Sequence, residues 1–185
     1  PENKMTSYAM YRLPHSRQII KITQTEGLPE ELHSYRELNG RSGFVFAPFC
    51  VSTSYPVLLI KPDITETMPA PECLYTPSPC VPQRHTDSRE RYIYASDFVA
   101  FNDALQSGRF EKLVLARSSR VKREPHAQPE QLFMKACRLY PRMFVALVST
   151  PQGGTWLMAT PEILLCGDAP VFSTMALAGT MRLDD

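Results

Sequence analysis

No window of this 185-residue chain approaches the roughly 20 consecutive apolar residues that a membrane-spanning helix needs. Apolar residues make up 43% of the chain, and charged residues keep interrupting them. Neither sign of charge dominates: twenty Lys and Arg stand against nineteen Asp and Glu, a formal charge of +1. That balance gives no electrostatic case for nucleic acid or for an anionic membrane as a partner. The N-terminal stretch PENKMTSYAMYRLPHSRQII lacks a long apolar segment between a basic start and a small-residue cleavage site, so nothing in it directs export. A soluble, cytoplasmic protein is the expectation.

Cysteine is sparse and unpaired in pattern. Cys50, Cys73, Cys80, Cys137 and Cys166 are scattered and odd in number, which suits reduced thiols better than a disulfide framework. Cys73 and Cys80 lie closest, with His85 beyond them, but zinc would need a fourth ligand and tighter pairing. The second half carries no internal repeat and no low-complexity tract, and no phosphate-binding loop is present. The basic cluster Arg117, Arg120, Lys122 and Arg123 is short and free of interleaved aromatics, the pattern of a solvated strand end.

Proline, by contrast, is frequent and divides the chain. Residues 64–92 contain Pro69, Pro71, Pro77, Pro79 and Pro82 with little apolar periodicity and read as a long loop or linker. It separates a leading unit, residues 1–63, from a core unit, residues 93–185. In the leading unit, GFVFAPFCV (Gly43 to Val51) and PVLLI (Pro56 to Ile60) predict two strands joined by the turn Ser52 to Tyr55 as a β-hairpin. In the core unit, Ser96 can cap a helix with Phe98, Phe101, Ala104 and Leu105 on one face and Gly108 as its stop. A strand KLVLARSSRV follows from Lys112. Pro129 then opens a helix with the stripe Leu132, Phe133, Ala136 and Leu139. MFVALVST, a turn at Gln152 to Gly154 and TWLMAT predict a second hairpin, after which a strand PEILLCG leads toward VFSTMALAGT. The pattern is α/β (α+β), with β-sheets packed by helices.

Three short segments of the core unit carry chemistry. Lys112 begins an apolar run, Leu113 to Ala116, so its strand should be buried; low dielectric there would disfavour the ammonium and make the amine a usable general base. A strand-end lysine reaching out to water fits the same residues. Glu162 stands at the mouth of another apolar run, Ile163 to Leu165, where a carboxyl without a partner takes up a proton and can act as a general acid; a glutamate paired to arginine or exposed fits equally. Ala178, Gly179 and Thr180 would let backbone amides approach a ligand carboxylate closely and add a hydroxyl donor, although a tight strand-to-turn passage uses the same residues.

In this order, EKLVLARS, ATPEILL and TMALAGT resemble the motifs of the chorismate-utilising enzymes, most closely those of the isochorismate synthase type. The resemblance implies the chorismate-binding enzyme fold, present here in part. It implies that Lys112 activates water to attack C2 of chorismate, that Glu162 protonates the departing C4 hydroxyl, and that Ala178, Gly179 and Thr180 line the carboxylate site with Mg2+ as cofactor. Ammonia users of the family, the anthranilate and aminodeoxychorismate synthases, typically carry glutamine where this chain has Lys112, and the latter lysine in place of Ala178. Isochorismate would serve menaquinone or siderophore biosynthesis, with menaquinone favoured. Salicylate synthases share the lysine, anthranilate synthase component I is a further alternative, and a non-catalytic binding module of the same fold is another. Members of the family have about as much sequence again, so the metal ligands and further substrate contacts are expected beyond Asp185, in a C-terminal part carried separately or as a further segment, and residues 1–185 alone are expected to be inactive.

Overall fold

The computed structural model describes residues 6–72, 88–122, 126–163 and 165–175. They fall in two compact units, one drawn from Pro1–Tyr75 and Ala127–Asp185 and the other from Thr76–His126. The fold is mixed α/β, with antiparallel sheets and, among the described residues, two α-helices.

The larger unit is built on a five-stranded antiparallel sheet. Its strands are β1 (Ser7–Arg12), β2 (Gln18–Gln24), β6 (Ile64–Pro69), β7 (Phe144–Thr150) and β8 (Gly154–Thr160), in the order β6-β2-β1-β7-β8. A three-stranded sheet, β3 (Glu30–Leu32), β5 (Val57–Ile60) and β4 (Phe44–Phe46), is ordered β3-β5-β4, and β9 (Cys166–Asp168) pairs with β10 (Val171–Ser173). The continuous apolar run of β7 follows from burial on both faces: Val145, Ala146, Leu147 and Val148 are all inaccessible to solvent. Val145 and Leu147 join Met10 and Ile19 under Phe133 and Cys137 of α2 (Pro129–Leu139). On the opposite face Val148 joins Ala9 and Ile22 under Ile60 of β5. Each such large apolar side chain contributes about 1.5–3 kcal/mol by leaving water.

Helix α2 is fastened to β1 at both ends. Tyr8 Oη donates to Glu130 Oε1 (2.6 Å) in the first helical turn. At the other end the buried Arg12 donates through Nη1 to the Cys137 carbonyl (3.1 Å) and through Nη2 to the carbonyls of Tyr140 and Met143. The guanidinium therefore satisfies carbonyls that a helix C-terminus leaves open, and its charge complements the helix dipole there. Pro129 at the first helical position needs no donor, as the sequence suggests. The stripe is narrower than expected: Phe133 and Cys137, one turn apart, are buried, Ala136 is half-buried, and Leu132 and Leu139 are exposed.

Both expected hairpins form. β4 pairs with β5 (Phe44↔Ile60), and Ser52 and Tyr55 exchange backbone hydrogen bonds of 3.1 Å in both directions across their turn. The first strand is shorter than predicted because Pro48, lacking an N–H, cannot continue a ladder. Gly43 is required at its start: a Cβ there would lie 2.5 Å from the Ile60 carbonyl oxygen. β7 and β8 pair from Phe144↔Thr160 to Thr150↔Gly154.

Several expectations differ from the structure. The loop assigned to residues 64–92 contains β6, which pairs with β2 along its length (Thr23↔Ile64 to Gln18↔Pro69). An edge strand tolerates a terminal proline, so the prolines do not exclude a strand there. The leading unit does not stand apart either, since β1 and β2 share one sheet with β7 and β8. Helix α1 (Ser88–Gln106) begins well before Ser96, which lies in its interior; a serine caps a helix only where none precedes it. It ends as expected, with Gly108 at φ +71° and its N–H bonded to the Leu105 carbonyl. Its expected apolar face is only half-buried at Phe101, Ala104 and Leu105, and Phe98 is exposed. Finally, residues 112–122 form no strand and the described residues of PEILLCG are strand only from Cys166, because an apolar run becomes a strand only with a hydrogen-bonded neighbour, and no described strand pairs with residues 112–122.

Two outcomes follow for the fastening of α2. Arg12→Met keeps the aliphatic stem but deletes the donors to three carbonyls, and should lower the unfolding free energy by about 2–4 kcal/mol. A lower urea midpoint at unchanged slope would record it. The second concerns pH. Burial first, and then the hydrogen bond to Glu130, pushes the Tyr8 phenol from 10.0 up to about 12, while the Tyr8 hydroxyl is the chief cause holding the Glu130 carboxyl below its usual range. The phenol's contribution is complete below pH 10 and is lost as pH rises through about 12; the carboxylate's is present above the ordinary carboxylate range and is lost as pH falls through the lowered folded value. Tyr8→Phe should flatten stability against pH in both windows, measured by urea unfolding at stepped pH.

Candidate functional site

Lys112 lies in the unit Thr76–His126, in the irregular segment that follows α1. It is exposed, as are Val114 (75%) and Val121 (68%) on the same segment. The expected buried strand, and with it low dielectric around the amine, is not what surrounds Lys112. Nearby in the same unit, Ser119 Oγ donates to the Glu90 carboxylate of α1 (3.2 Å), and the Arg117 guanidinium sits 6.0 Å from the Tyr94 ring centroid. These contacts tie the segment to the helix through polar groups, consistent with a solvated rather than a core position.

Glu162 belongs to the other unit, two residues past the end of β8. The ladder stops there because Thr160 faces Phe144, the first residue of β7, so no partner remains for Pro161 and Glu162. Glu162 is exposed, and its backbone N–H donates to Thr160 Oγ1 (3.1 Å). The neighbouring Ile163 carbonyl accepts from the Met175 N–H (2.9 Å), which brings the two chain segments flanking the β9–β10 hairpin together. Lys112 and Glu162 thus fall in separate compact units. Ala178, Gly179 and Thr180 lie outside the described residues.

Among the described residues, no three His, Cys, Asp or Glu side chains converge as a metal site. The described residues therefore offer no site for Mg2+. The described thiols Cys50, Cys137 and Cys166 are free. Burial raises the Cys137 thiol above its ordinary value against an opposing effect of Arg12, so it behaves as a small core residue rather than a nucleophile. No described helix is long and apolar enough to cross a membrane.

What decides the class is the extent of a sequence match. The family model for chorismate binding enzymes matches residues 66–185, well over half of the chain and all three motif segments. The chain belongs to the chorismate-binding enzyme family. Neither a curated protein nor a solved structure matches it. As a chorismate-binding enzyme it acts on chorismate, and the match begins inside β6. The strands β1 to β5 precede the matched region, yet β1 and β2 supply the ladder partners of β7 and β6 within it.

The larger unit also contains a cavity lined by no described residue of the three motif segments. Its volume is about 600 Å³, and Phe46, Phe49, Tyr55 and Trp156 line it together with Glu31 and Gly153. The sequence holds a hint of it, since its sole tryptophan follows the Gln152–Gly154 turn and the aromatic residues of Phe44 to Tyr55 exceed what a short hairpin needs.

Proposed function

We propose that this chorismate-binding enzyme is an isochorismate synthase. The observation that carries the reading is the identity of residue 112, a lysine within the matched region, where the ammonia-using branches of the family typically have glutamine. Alanine rather than lysine at residue 178 supports the same branch. With Lys112 and Glu162 exposed, the support for their roles is motif and family rather than burial.

In this reading the Lys112 amine, in its neutral form, takes a proton from water as the water oxygen bonds to C2 of chorismate. The ring double bonds shift and the C4–O bond breaks. Glu162 supplies the proton with which the C4 hydroxyl leaves as water. One water enters and one leaves, so the reaction is an isomerisation without redox change. Backbone amides at Ala178 and Gly179 and the Thr180 hydroxyl hold the substrate carboxylate. The product is a precursor for menaquinone or catechol siderophores.

The test is product analysis by liquid chromatography after incubating the full-length polypeptide with chorismate and Mg2+. Isochorismate as the product is expected; salicylate with pyruvate would identify the salicylate synthase branch, and anthranilate formed with ammonia would overturn the role of Lys112. Lys112→Ala and Glu162→Gln should each lower kcat by about 10²–10⁴-fold with chorismate binding little changed. Unaltered turnover in either variant would remove that residue from the mechanism, and binding without turnover in the unmodified protein would favour a non-catalytic module.

A further inference from the structure

The aromatic cavity of the larger unit combines three properties that together select a ligand class. Its lining includes aromatic side chains that the fold leaves uncovered: Phe49 is fully exposed, Tyr55 is 70% exposed and Trp156 is 55% exposed. The Phe46 and Trp156 rings stand 6.0 Å apart, tilted by 52°, so two walls meet at an angle rather than stacking on each other. Its lining carries one carboxylate, Glu31, and no lysine, arginine or histidine. Neighbouring Glu30 is engaged with Arg41, whereas Glu31 forms no ion pair among the described residues.

The walls are also held in place. Trp156 Nε1 donates to the Gly153 carbonyl (2.7 Å), which fixes the indole and uses its only donor. Tyr35 Oη donates to the Pro48 carbonyl (2.9 Å), pinning the segment that bears Phe49. Tyr55 is positioned by its backbone exchange with Ser52 and by the Ser52 hydroxyl, which accepts from the Tyr55 N–H (3.1 Å). Gly153 lies so close beneath the rings that a Cβ would meet Phe46 and Thr150 at 3.0 Å, so the floor of the cavity is set by bare backbone.

Ring faces carry the negative part of the aromatic quadrupole and attract cations, most strongly where several rings converge and water is partly displaced. A volume of about 600 Å³ lies within the range of small-molecule sites. A carboxylate at the rim adds attraction for positive charge. The absence of a basic lining residue leaves nothing to pair with an anionic group, so a zwitterionic amino acid or an acidic substrate is disfavoured. We infer that this cavity, whose lining includes neither Lys112 nor Glu162, binds a small organic cation of the alkylammonium class. This inference stands independently of the reaction proposed above.

The sole tryptophan makes the test direct, because Trp156 fluorescence reports on the cavity alone. The protein is titrated with choline chloride at constant ionic strength, and in parallel with 3,3-dimethylbutan-1-ol, which has the same shape without the charge. A saturable change with choline is expected, at least about tenfold weaker for the alcohol. Glu31→Gln and Tyr55→Leu, both at exposed positions, should each weaken choline about three- to tenfold while leaving the unfolding midpoint unchanged. No saturable response to choline, an equal response to the alcohol, or full affinity in both variants would overturn the assignment.

Discussion

Three alternate residues of one strand organise the larger unit. Tyr8, Met10 and Arg12 all project from the same face of β1, and they meet the first turn, the apolar middle and the C-terminal carbonyls of α2 in turn. The lengths agree: four strand steps span about 13 Å, and ten helical steps from Glu130 to Tyr140 span about 15 Å. A helix laid along the central strand in this way has its rotation, direction and axial position specified at once. The chemistry at the two ends is complementary, an acid at the positive end of the helix dipole and a guanidinium at the negative end. A one-residue shift of register in β1 would turn this face away and place Ala9 and Tyr11, which pack against the three-stranded sheet, under the helix instead.

That constraint spreads because β1 is also the middle of the sheet. It bonds β2 on one side and β7 on the other, and β2 in turn carries β6. The chorismate-binding family match therefore begins in a strand held by residues that precede it. The matched region contributes β6, β7, β8 and α2, but without β1 and β2 the sheet divides into an isolated edge and a hairpin, which is marginal in water. The early residues complete the fold of the family region rather than decorating it. They also build most of the aromatic cavity, whose walls come chiefly from the stretch between Phe46 and Leu58, with Gln152, Gly153 and Trp156 added by the β7–β8 hairpin. Packing of Ile60 against Val148 brings those two loops to the same end of the unit.

Legibility in the sequence followed the range of the interactions involved. The β7–β8 hairpin was readable because an apolar run, a glycine-containing turn and a second run specify a local pairing, and α2 because Pro129 and the spacing of Phe133 and Ala136 act within a few residues. β6 was hidden because its stability is a ladder to residues about 45 positions earlier, while the prolines around it gave a strong local signal for a loop. Residues 112–122 show the converse: Leu113 to Ala116 are good strand formers, yet propensity without a neighbouring ladder leaves the chain irregular. The same argument explains Glu162, whose apolar flank promised a buried strand until the register of β7 and β8 ended at Thr160. Tyr8 and Arg12 could not have been singled out, because what they do depends on α2, more than 120 residues away.

Side-chain identity at residue 112 carries more of the functional reading than its surroundings do, and elementary reactivity explains why. Ammonia attacks an electrophilic ring carbon with its own lone pair and needs no base to become a nucleophile. Water is a poor nucleophile until a proton is drawn from it as the new bond forms. An enzyme that adds water to chorismate therefore needs a basic side chain next to the attacking oxygen, whereas one that adds ammonia needs only a neutral group that can orient it. Lysine can serve the first purpose and glutamine the second, which has no basic atom to offer. The leaving hydroxyl poses the same demand in either branch, since hydroxide is a poor leaving group and must be protonated as it departs. A carboxyl at residue 162 would then be useful whichever nucleophile is used, and in the proposed reading residue 112 is the position at which the two chemistries would part.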